Sequence, residues 1–191
     1  MLLMVTLIFS TVLNLTAQTQ PVDPIVDFAV KNCRHVSEKR QSEAYEIAAT
    51  LYSVEKQYSV PKELKGMILA AACMESGFNP RAKGDRKFSK NKRTPKAIGV
   101  LQLWRYYERV YDTDRSDPRS AAEGWMKHIA KMLPKVKKQC KYKTPEKIWI
   151  AAWVTGIRYK KPGGRCRERP KHLRLLKKWK KLMANSLNKS Q

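Results

Sequence analysis

The stretch AACMESGFNP, residues 71 to 80, carries a single carboxylate, Glu75, to the end of an apolar run and then turns at Gly77. At 3.6 residues per helical turn, Glu75 shares a face with Ile68 and Ala71. The pattern predicts a side chain aimed at the interior from the last turn of a helix. Removal from water disfavours the ionised form of a carboxyl and raises its pKa. A glutamate that keeps its proton near neutral pH is a general acid, able to protonate a poor leaving group such as a glycosidic oxygen. An ordinary helix-end carboxylate paired with a nearby arginine would occupy the same position. Placement alone does not choose between the two.

Other residues with usable chemistry follow. Gly84-Asp85 offers a second carboxylate in the basic stretch RAKGDRKFSKNKRTPK, and AIGVLQL brings Gly99 and an amide, Gln102. Asp after Gly is also common turn chemistry, and a lone Gln is an ordinary polar position on an amphipathic helix. Trp104, Tyr107 and Trp153 have faces that stack on sugar rings, although aromatics at helical spacing more often build a core. Trp104 and Tyr107 are the best placed for a groove. Cys33, Cys73, Cys140 and Cys166 form no C-x-x-C pair, and His35, His128 and His172 are scattered. Up to two disulfides suit this set better than a zinc site. Cys73, inside the apolar pattern, equally suits a buried free thiol.

Three segments occur in order: MESGFNPRA at 74 to 82, AIGVLQL at 97 to 103 and IAAWVTG at 150 to 156. Together they resemble the catalytic domain of soluble lytic transglycosylases and of the related goose-type lysozymes, over residues 61 to 156. The resemblance implies a mostly α, lysozyme-like single domain. It also implies cleavage of the β-1,4 bond between N-acetylmuramic acid and N-acetylglucosamine in peptidoglycan. Glu75 would be the acid/base, with Ser76, Gly99, Gln102, Trp104 and Trp153 at the sugar and no metal or cofactor involved. A transglycosylase, the preferred expectation, needs one carboxylate because the muramyl 6-hydroxyl attacks the cleaved centre. A hydrolase would enlist Asp85 to position a water. The third segment departs from the family's Ala-Tyr-Asn-Ala-Gly: Ala152, Trp153, Val154, Thr155 and Gly156 keep an aromatic but lose the Tyr hydroxyl and the Asn amide. A non-catalytic wall-binding module is therefore a competing expectation.

Elements must hold these residues in place. The chain has 191 residues, 42% of them hydrophobic, enough for one well-buried domain. Lys and Arg number 40 against 16 Asp and Glu, a formal charge of +24 that draws the protein to polyanions. Residues 1 to 20 carry no charge, and the apolar piece from Leu2 to Leu15 is shorter than the ~20 residues of a membrane span. It fits a secretory signal cleaved after Ala17, with a retained anchor as the competing reading. Export to a periplasm or beyond is the resulting expectation.

An arm is expected over 18 to 41, then the catalytic domain over 42 to 191. Periodicity and stop signals predict helices over 42 to 58, 61 to 75, from Gly99 to 111, 121 to 132 (stopped by Pro134), 145 to 155 and 170 to 187. No alternation is long enough to predict a sheet. The basic last helix points to anionic wall polymers or a lipid surface as partners besides the glycan strand. Nucleic acid is not expected, and the working unit is expected to be a monomer.

Overall fold

Asp23 and Pro24 open the first helix, α1 (Pro24–Lys31), where the Asp23 carboxylate accepts from the Ile25 amide at 2.9 Å. The computed structural model describes residues 21–86, 94–140, 144–154 and 170–188. The expected leader and its cleavage point, part of the basic loop, and Thr155 and Gly156 lie outside them. Val26, Phe28, Ala29 and Val30 of α1 are buried in the same core as the later helices. The segment expected as an arm is thus an integral helix, and no domain boundary falls at residue 41. Its apolar residues are too few for a periodic signal but enough to fill one face.

α2 (Gln41–Glu55) buries Ala44, Ile47, Ala48, Leu51 and Tyr52, the predicted stripe, and stops short of the predicted 58. α3 (Met67–Ser76) also starts later than predicted. Lys62–Leu64 form one 3-10 turn, and Gly66 at φ 78° separates it from the helix. The cause is Glu55, buried at the end of α2. Its carboxylate accepts from the Gly66 and Ile68 amides, at 2.5 and 2.9 Å, and so caps α3 from another helix. Burial pushes the Glu55 pKa up to about 7, against the pull of those two donors.

Beyond α3, β1 (Lys83–Gly84), β2 (Ala97–Ile98) and β3 (Leu103–Trp104) form an antiparallel sheet in that order. Gly84, Ala97 and Trp104 lie in one register line, and Lys83, Ile98 and Leu103 in the next. The predicted helix from Gly99 exists only as α4 (Tyr106–Tyr111). Two-residue strands are too short to leave an alternating pattern, so the sheet was invisible to periodicity.

α5 (Pro118–Gln139) begins at the Asp117 cap, whose carboxylate accepts from the Ser120 amide at 2.7 Å. It runs through Pro134 instead of stopping there. Pro134 is exposed, so the carbonyl that its missing N–H leaves without a helical partner is on the watered side. α6 (Pro145–Val154) and α7 (Pro170–Asn188) match the predicted helices closely. α5 packs on α2 and α6, and α7 touches α1, α3 and α6. Trp125, Trp149 and Trp153 meet edge to face between α5 and α6, and Phe28 meets Trp179 at 5.3 Å between α1 and α7. The described residues thus form one mostly helical domain around one core. None of their helices is long and apolar enough to cross a membrane.

Candidate functional site

The end of α3 is anchored from several sides. Cys73 is bonded to Cys33, just past α1, so the free thiol allowed by the sequence is not what forms. Cys140 is also disulfide-bonded. Gly77, left-handed at φ 61°, ends the helix, and Phe78 behind it is fully buried at φ 57°. Arg40 donates to the Phe78 carbonyl at 2.9 Å and also pairs with Glu43, which holds Arg81 at 2.8 Å. Three of the non-glycine residues in the left-handed region, Phe78, Asp85 and Gln102, fall in the segments that follow Glu75. Such conformations persist only where the surroundings over-determine them, and they gather at functional sites.

Ser76 joins α3 to the turn before β3. Its hydroxyl donates to the Val100 carbonyl at 2.7 Å and accepts from the Asn79 amide at 3.1 Å. Expected at the substrate, it is instead committed to the frame, because its one proton is already in use. Gln102 is similar. Its amide nitrogen donates to the Ala82 and Gly99 carbonyls, at 3.1 and 2.9 Å, and so ties β1 to the turn instead of reaching for a sugar. Its Oε1 lies over Gly84, where a Cβ would come within 2.2 Å of it. Gly99 has φ 79° and packs on the backbone of Arg115; a Cβ there would stand 1.9 Å from the Arg115 carbonyl oxygen. Gly99 is a requirement of the turn.

Arg115 went unnoticed in the sequence. It is buried, donates through Nη1 to the Lys96 and Leu103 carbonyls at 3.1 and 2.9 Å, and pairs through Nε with Glu108 at 2.7 Å. One guanidinium fork therefore fastens the lead-in to β2, β3 and α4 together. An arginine in the polar stretch DTDRSDPRS gives no sequence signal of burial.

Glu75 is the first correction at the site. Its side chain is exposed, not turned into the apolar interior as the helix face predicted. Its pKa is nonetheless raised to about 7, first by desolvation and then by the negative charge of Asp85. Exposure and desolvation pull in opposite directions. The Asp85 charge acts in the same upward sense as the desolvation. Water reaches the carboxyl while protein crowds part of it. A substrate could reach it too, which a carboxyl sealed in the core would not allow.

Asp85 follows β1 at φ 55°, a conformation that Asp tolerates. Its Oδ2 accepts from the indole N–H of Trp104 at 2.8 Å. Trp104 is half-buried, and the Lys96 ammonium lies 5.6 Å from the centre of its ring. Glu75, Asp85 and Trp104 are thus brought together. Trp153 and Tyr107 are not: each is only 7% exposed. Trp153 packs against Trp125, Trp149 and His172, and Tyr107 against Tyr106, Tyr111 and His128. Both are core, because an aromatic on a helix that faces its neighbours has no groove left to line. Among the described residues no group of His, Cys, Asp and Glu is placed to hold a metal ion.

No family model matches the chain, and no curated protein and no solved structure matches it.

Proposed function

We propose that the protein cleaves the glycan strand of peptidoglycan at the β-1,4 bond between N-acetylmuramic acid and N-acetylglucosamine, with Glu75 as the acid. One observation carries this reading: a carboxyl that holds its proton up to about pH 7 and is open to a ligand. The resemblance of the three segments to lytic transglycosylases and goose-type lysozymes supplies the substrate class. The anchoring of α3 around Glu75 adds support, since a general acid must be held in place.

In the transglycosylase form, Glu75 gives its proton to the bridging oxygen as the bond from that oxygen to the muramyl C1 breaks. The positive charge that develops at C1 is quenched by the sugar's own 6-hydroxyl oxygen. The hydroxyl proton returns to Glu75, leaving a 1,6-anhydro ring and a regenerated acid. The second reading, hydrolysis, is favoured by one feature, the fixed Asp85 beside Glu75. There Asp85 accepts a proton from a water that attacks C1, while Glu75 protonates the leaving oxygen. Partners would be the glycan strand and, through the basic exterior, anionic wall polymers or lipid. Such an enzyme would act after export, and the Cys33–Cys73 bond is the kind that persists in an oxidising compartment.

The test uses purified sacculi, the protein and its Glu75→Gln variant, with mass spectrometry of the released fragments. Anhydro products that vanish in the variant fit the transglycosylase, and products heavier by one water fit the hydrolase. Equal release by both proteins removes Glu75 as the acid. Binding without release by either leaves the non-catalytic module.

A further inference from the structure

We propose that Trp104 is a positioning residue: its indole N–H holds the Asp85 carboxylate turned toward Glu75, so that two acids share one field at the end of α3. The inference rests on the reading of Glu75 as the acid, and its geometry stands apart from it. Trp104 occupies β3 and Asp85 follows β1, so the 2.8 Å hydrogen bond spans the sheet over β2. An aspartate in a left-handed turn has few ways to aim its carboxylate, and this bond selects one. The Trp104 nitrogen can only donate. It therefore fixes where the Asp85 charge lies, and that charge raises the proton affinity of Glu75.

The charges around the pair come from each packed element. Glu75 approaches from α3, and Lys96 stands over the indole ring ahead of β2. Arg115 is occupied by Glu108 and by the Lys96 and Leu103 carbonyls. The Lys96 ammonium is held over the face of the Trp104 ring. A sugar-stacking platform, the role that the sequence suggested for Trp104, would not need its N–H committed inward. The indole faces the protein's own acid.

Trp104→Phe keeps a ring for β3 and removes only the donor. The pH dependence of muropeptide release and the carboxyl ¹³C titration of Glu75 are measured for wild type, Trp104→Phe, Asp85→Asn and the double variant. Each single change is expected to lower the Glu75 midpoint by roughly half a pH unit, the size of one screened charge nearby. For Trp104→Phe, release at about pH 8 then falls about threefold, with little change near pH 5. The double variant is expected to match Asp85→Asn, because Trp104 acts only through that carboxylate. A Trp104→Phe effect on KM alone, an unmoved midpoint, or a full further loss in the Asp85→Asn background overturns the proposal. If Glu75→Gln keeps its activity while the midpoint shifts as expected, the positioning stands and the muramidase reading fails.

Discussion

At the scale of the residue, Glu75 carries a penalty that the proposed chemistry requires. Its folded pKa, about 7, lies above the ordinary 4.5, so the folded protein holds this proton more tightly than the unfolded chain does. Stability from this group is complete at acid pH, declines as pH rises from 4.5, and is fully lost above about 7. Glu75→Gln removes the titration. The variant is expected to melt with wild type at about pH 4 and above it at about pH 8, as read by thermal unfolding across pH. Equal melting at both pH values would mean that the carboxyl is as well solvated as in the unfolded chain. The sequence made Glu75 conspicuous because an acid ending an apolar run is rare. It misjudged where the side chain points, since helical phase says nothing of how the last turn is exposed. It also took Ser76 and Gln102 for ligand contacts. Their roles depend on the Val100, Ala82 and Gly99 carbonyls, backbone partners that a motif does not display.

Among the elements, α3 depends on a carboxylate that belongs to α2. Glu55→Ala leaves the buried Gly66 and Ile68 amides without acceptors, at a cost of roughly 3 kcal/mol. Denaturant unfolding is expected to show that loss, and amide exchange at Ile68 should speed up more than exchange at the far end of α2. The long helices were legible because their apolar stripes repeat at 3.6 residues, and α6 and α7 were placed almost to the residue. What escaped notice was set by contacts distant in sequence. The late start of α3 follows from Glu55, and the sheet follows from Arg115 and Gln102 drawing three short pieces together. The passage of α5 through Pro134 follows from which side of that helix meets water. Local signals mark a proline as a stop, and only the packed structure tells whether the lost hydrogen bond can be hydrated.

For the whole molecule, charge is the dominant long-range property. Exposed Lys127, Lys131, Lys135 and Lys138 follow one another along the outside of α5, and Arg174, Lys177, Lys178 and Lys181 are exposed on α7. On α7, Leu176 and Trp179 are buried in the core. The exposed basic residues of the helix are available for electrostatic attraction. Retention on a phosphate-bearing polymer is therefore expected to fall steeply with salt. Replacing Lys127, Lys131 and Lys138 with Gln should flatten the log–log salt dependence by about 2. Glu75→Gln should leave that dependence unchanged, since Glu75 belongs to α3 and not to α5 or α7.

The bridge between Cys33 and Cys73 closes immediately before the turn of α3 that bears Glu75. In a reducing cytosol those sulfurs would stay apart, and the end of α3 that bears Glu75 would lack its covalent tie to the segment after α1. Under the proposed function, the working end would then be complete only in an oxidising space, so that synthesis and potency would be separated by a compartment boundary.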